Sequence, residues 1–123
     1  MTVRCLIVDD NQEFLDAARR LLDAEGISVV GTATNGADAL RRVAELLPDV
    51  TLVDVNLGEE NGLDVVRRLA GAIDAASSRV VLISTYAEED LVDFARTGPP
   101  VAFLSKTELS GPAIRAVLGL GSH

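Results

Sequence analysis

The chain has 123 residues and a mass of 13.0 kDa, enough for one domain, spanning residues 1–123, that buries about two-thirds of its unfolded surface without staples. Hydrophobic residues make up 48% and the mean hydropathy is +0.27, which excludes a disordered chain, yet no apolar run approaches the roughly 20 residues a bilayer requires. A net charge of −8 argues against direct nucleic-acid binding; the single cysteine and the lack of a charged-then-apolar leader give the expectation of a cytoplasmic protein with no membrane partner.

In chain order, short apolar runs alternate with helical patterns. Val3-Arg4-Cys5-Leu6-Ile7-Val8 reads as a strand covered on both faces. Phe14, Ala18, Leu21 and Leu22 predict the apolar face of a first helix, closed by Gly26 in a left-handed position. Ser28 to Ala33 predicts the second strand. Asn35 is placed to cap a second helix, with Ala37, Leu40, Val43, Ala44 and Leu47 facing inward before Pro48. Val50 to Val53 predicts a third strand, and Leu63, Val66, Leu69 and Ile73 a third helix. Arg79 to Ile83 predicts a fourth strand. Leu91, Val92 and Ala95 mark a short fourth helix whose Glu88-Glu89-Asp90 suits the positive end of the dipole. Val101 to Leu104 predicts a fifth strand. Ser110 and Pro112 open a fifth helix with Ile114, Val117 and Leu118 inside.

Five strand–helix units joined by short connections require parallel strands with right-handed crossovers. The expected architecture is α/β: a doubly wound five-stranded parallel sheet, order 2-1-3-4-5, flanked by five helices. Ligands of such sheets gather beyond the carboxyl ends of the strands, where the strand order reverses. Those ends carry Asp9-Asp10, Asp54, Ser84-Thr85 and Ser105-Lys106. Three carboxylates converging on one cleft need a cation, and oxygen-only donors select a hard one such as Mg²⁺. Lys106 is the only lysine in the chain, against ten arginines. An ammonium and a hydroxyl beside a carboxylate nucleophile and a divalent ion describe phosphoryl transfer to an aspartate.

These motifs resemble those of response-regulator receiver domains. Leu6-Ile7-Val8-Asp9-Asp10-Asn11 is similar to the family's acidic pair, and Leu52-Val53-Asp54-Val55-Asn56-Leu57 with Asn61-Gly62-Leu63 to its acceptor segment. Val81-Leu82-Ile83-Ser84 is similar to the hydroxyl strand, and Phe103-Leu104-Ser105-Lys106 to the lysine strand. The likeness covers the whole chain, with 44, 30 and 22 residues separating Asp10, Asp54, Ser84 and Lys106.

The resemblance implies a flavodoxin-like receiver in which Asp54 accepts the phosphoryl group from a histidine kinase. It implies Mg²⁺, with Mn²⁺ as a substitute, held directly by Asp10 and Asp54, through water by Asp9, and by the backbone carbonyl of Asn56. Lys106 and Ser84 would contact the phosphoryl group, with Thr85 the alternative hydroxyl. Phe103 would act as an aromatic switch, and Asn56 and Tyr86 would tune the phosphoryl lifetime. The surface of helix four, strand five and helix five would engage a downstream protein or a second copy of the chain. Such a protein catalyses its own phosphorylation and slow dephosphorylation without being a turnover enzyme.

Some residues depart from the family pattern. Thr107 stands where proline commonly follows the lysine, Gly58 where proline is frequent, and Gly98-Pro99-Pro100 precedes strand five. The acidic surface and lack of a linker favour a stand-alone receiver over the receiver module of a larger DNA-binding regulator. Two rival classes are a pseudo-receiver that is never phosphorylated and a phosphatase with an aspartyl nucleophile. The intact site opposes the first. Asn56, where a phosphatase has a second acid, opposes the second.

Overall fold

Alternate residues of each strand enter opposite cores, and this alternation sets the whole architecture. The computed structural model describes residues 2–57, 60–72, 79–84 and 102–119. Five strands form one parallel sheet: β1 (Val3–Val8), β2 (Ile27–Ala33), β3 (Val50–Asp54), β4 (Arg79–Ser84) and β5 (Ala102–Ser105), in the order β2-β1-β3-β4-β5. The predicted order and strand positions hold, with shifts of one residue at some ends.

On one face Cys5, Ile7, Val50, Leu52, Val81 and Ile83 meet Leu15, Ala18 and Leu22 of α1 (Gln12–Ala24) and Ile114 of the last helix (Gly111–Val117). On the other, Leu6, Val8, Val53 and Leu82 meet Ala39 and Val43 of α2 (Gly36–Leu46) and Val65, Val66 and Leu69 of α3 (Gly62–Ala72). Central strands buried on both faces therefore read as unbroken apolar runs. Burying one such side chain is worth about 1.5–3 kcal/mol.

The described residues contain four helices; the expected fourth of five, at Glu88 to Ala95, lies outside them, as do Ile73, Gly58 and Gly98-Pro99-Pro100. Two helix faces are turned from their expected setting. On α1 the buried leucines are Leu15 and Leu22, and Leu21 is 43% exposed. On α2 Ala39 and Val43 are buried, Leu40 is half-buried, and Ala37, Ala44 and Leu47 are exposed. Several apolar residues fit a 3.6-residue period at more than one azimuth, and contact with the sheet selects one. Leu47 also leaves its helix in a left-handed conformation (φ 47°), which turns it out to 73% exposure. In the last helix Ile114 is buried, whereas Val117 and Leu118 are half-buried against the same core.

The helix ends follow their capping residues. Asn11 accepts hydrogen bonds from the Glu13 and Phe14 amides, Asn35 from Asp38, and Ser110 from Ala113. Gly26 takes a φ of 84° just beyond α1, as a C′ residue must.

Candidate functional site

Because β1 and β3 are adjacent and β4 and β5 follow, the carboxyl ends of four strands share one rim of the sheet. Asp9 follows β1 directly, and its amide donates to the Ala33 carbonyl at the end of β2. Its Oδ1 accepts the Asn11 amide at 2.8 Å, so the acid is held by the turn that starts α1. Asn11 is the cap, which leaves both acids of the Asp9-Asp10 pair free of that duty. Asp54 ends β3 in the register of Ile83, and its loop is closed by Gly62, whose amide donates to the Val55 carbonyl. A Cβ on Gly62 would overlap the Asp54 carbonyl oxygen, so only glycine lets α3 begin this close to the acid.

Asp9 and Asp54 are buried and Asp10 is exposed at the mouth, yet one carboxylate oxygen from each lies within 4.8 Å of the others. Lys106 leaves β5 through the 3₁₀ turn Lys106–Glu108 and reaches back over this cluster. Its Nζ stands 2.7 Å from Asp9 Oδ2 and 3.4 Å from Asp54 Oδ2. Burial by itself would lower the Lys106 pKa; the attraction of Asp9 and Asp54 outweighs it and raises the ammonium above its ordinary value. Ser84, buried, ends β4 in register with Ser105. The Lys106–Thr107 peptide is trans, as are all described bonds, and the Ser105 hydroxyl accepts the Thr107 amide to start the turn.

Three carboxylates thus gather at one rim, two of them buried and paired with one ammonium and the third exposed beside them. Asp9 Oδ2 is in ion-pair contact but has no aligned hydrogen bond. An oxygen-only donor set of three clustered carboxylates fits a small divalent cation of the Mg²⁺ type.

Asp9, Asp10, Asp54 and Lys106 are thus brought together, with Ser84 on the same rim. Asn56 lies just beyond, in a short antiparallel ribbon of Asn56–Leu57 with Glu60–Asn61. Phe103 lies two strand positions from the rim, half-buried against the α2–α3 core and in register with Leu82. Thr85 and Tyr86 fall outside the described residues. The Phe14 ring lies beneath Lys106, its centroid 4.3 Å from Nζ, a contact that the sequence pattern gives only as helix packing. A helical aromatic carries no mark in the sequence of the lysine it meets. Among the described residues, no helix is long and apolar enough to cross a membrane.

Known proteins resemble this chain. A family model described as the response regulator receiver domain matches residues 5–116. Protein-glutamate methylesterase/protein-glutamine glutaminase 5 of Myxococcus xanthus is 46% identical over 71% of this chain and 25% of its own. The chemotaxis protein CheY of Thermotoga maritima is 30% identical over 75% of each chain. A LuxR-family two-component response regulator from Aurantimonas sp. SI85-9A1 superposes with a TM-score of 0.84 at 25% identity, covering 98% of this chain and 88% of that one. The chain spans about a quarter of the length of the first two curated relatives it matches, both methylesterases. With the matched segment running from β1 into the last helix, and so across every strand end that carries an acid, hydroxyl or ammonium, the chain belongs to the response regulator receiver domain family.

Proposed function

We propose that this receiver takes a phosphoryl group onto Asp54 from the phosphohistidine of a histidine kinase and signals through the surface that the added charge reorganises. The observation that carries the reading is Lys106: a single ammonium drawn at once to Asp9 and Asp54 at the buried rim. A carboxylate oxygen of Asp54 attacks phosphorus while the P–N bond to the imidazole breaks; the bonding electron pair leaves with the imidazole nitrogen, which gains a proton. The product is an acyl phosphate. Lys106, held by Asp9, is placed to neutralise charge on a phosphoryl oxygen, and the Ser84 hydroxyl to donate to another. Asp10 and Asp54, Asp9 through water, and the Asn56 carbonyl would hold Mg²⁺ or its substitute Mn²⁺. Bound there, the ion supplies positive charge to the transferring oxygens. Water later attacks phosphorus and releases inorganic phosphate, so the chain resets itself without acting as a turnover enzyme.

Phosphorylation adds about −1.5 to −2 charges and three acceptor oxygens. Ser84 and Phe103 lie where a change at Asp54 can pass along β4 and β5, toward a downstream protein or a second copy of the chain. A second reading, that the chain is the receiver unit of a longer regulator, is favoured by the quarter-length match to the methylesterases. The in-frame neighbouring coding sequence decides it.

The test is intact-mass spectrometry after incubation with phosphoramidate and Mg²⁺. The wild-type chain should gain one phosphoryl group and Asp54→Asn none. Undiminished labelling of the variant would place the acceptor elsewhere, and an unlabelled wild type would leave the pseudo-receiver.

A further inference from the structure

Lys106 has a neighbour that phosphoryl chemistry does not require. The ring of Phe14 lies against its ammonium, 4.3 Å from Nζ to the centroid. A ring face attracts a cation within about 6 Å, more strongly where water is excluded. Here the lysine side chain keeps only 15% of its exposure. Phe14 is half-buried at the margin of the α1 face formed by Leu15, Ala18 and Leu22. Its amide donates to the Asn11 side chain, and the Asn11 amide donates to Asp9 Oδ1. One turn of chain therefore carries both the acid and the ring that Lys106 touches.

We infer that Phe14 is a positioning residue for Lys106, holding the ammonium beside Asp54 through a cation–π contact. The inference rests on the reading of Lys106 as the phosphoryl-pairing group. Among the described residues, the partners of Lys106 are Asp9, Asp54 and Phe14. Phosphorylation converts the Asp54 carboxylate into an acyl phosphate, and the Asp9 carboxylate belongs to the cluster suited to a divalent cation. Phe14 alone of the three keeps the same charge whatever occupies the site. A lysine stem has four rotatable bonds, and a fixed ring restricts where its ammonium can go when the carboxylates loosen their hold.

The single lysine makes the contact directly observable. Lysine labelled with ¹³C at Cε gives one side-chain NMR signal, already assigned to Lys106. In metal-free, unphosphorylated protein its ε protons should be shifted upfield by the ring. The shift should vanish in Phe14→Leu and persist in Phe14→Tyr, which keeps an aromatic face. Labelling by phosphoramidate should slow about 2- to 10-fold in Phe14→Leu and recover in Phe14→Tyr. Circular dichroism checks that both variants are folded. An ε-proton shift equal in wild type and Phe14→Leu would overturn the inference, as would equal slowing in both variants or no slowing in either. A wild-type chain showing the ring shift but taking no label would instead overturn the phospho-acceptor reading on which the positioning role rests.

Discussion

The two ends of the sheet handle buried polarity in opposite ways. At the amino ends, β1, β3 and β4 are tied by a closed set of hydrogen bonds. The Asp49 amide donates to the Arg4 carbonyl, the Arg4 amide donates to Asp49 Oδ2, and the Arg79 amide donates to the Asp49 carbonyl. The Arg4 guanidinium then satisfies the Leu46 and Leu47 carbonyls at the negative end of α2. At the carboxyl ends, the buried carboxylates of Asp9 and Asp54 share one ammonium with exposed Asp10 alongside, and Asp9 Oδ2 lacks an aligned hydrogen bond. One end is arranged for stability. The other gathers carboxylates around one ammonium where a cation could also be held.

Perturbations should separate the two ends. The largest effect is expected from Lys106→Met without divalent ions, which removes the ammonium shared by buried Asp9 and Asp54 and should cost about 3–5 kcal/mol in urea denaturation. A loss under about 1 kcal/mol would mean that the ammonium does not hold the rim together. Next, Mg²⁺ at a hundredfold over its dissociation constant should add about 2.7 kcal/mol relative to chelator, and equal melts in the two buffers would refute the cation site. At the opposite end, Asp49→Ala strips the Arg4 amide of its carboxylate and should cost about 1–3 kcal/mol. That cost should not change the increment due to Mg²⁺; if it does, the two ends are coupled.

The smallest effect concerns the core between them. Burial pushes the Cys5 thiol from its ordinary 9.0 up to about 12. The folded state thus favours the protonated thiol, and its contribution is complete below pH 9. It is lost as pH rises toward 12, by up to about 1.4 kcal/mol per pH unit. The raised Lys106 pKa acts in the same direction above 10.5. Cys5→Ala should flatten the Cys5 part of the alkaline slope, and an unchanged slope would show that the thiol does not contribute.

The acid, hydroxyl and lysine positions were legible because each sits at the end of a short apolar run, and a doubly wound sheet gathers such ends on one side. Leu15 in place of Leu21, and Ala39 in place of Ala37 and Ala44, were not. Their periodicities are degenerate until a sheet is present to select a face. The Asp9–Lys106 ion pair and the Phe14 contact were also hidden, since residues nearly a hundred positions apart leave no local pattern when they meet. Gly62 belonged to a recognisable segment, but its closeness to the Asp54 carbonyl emerges only when α3 closes back on β3.

By itself, the sequence determined the five strands of the sheet, the caps at Asn35 and Ser110, and the residue types offered at the strand ends. These depend on local propensity and on a period that survives without neighbours. The tertiary structure decided which helix faces are buried, which carboxylate the ammonium approaches most closely, and which ring lies beside it. Those outcomes come from packing and electrostatics between distant segments, whose distances exist only once the chain has closed around its sheet.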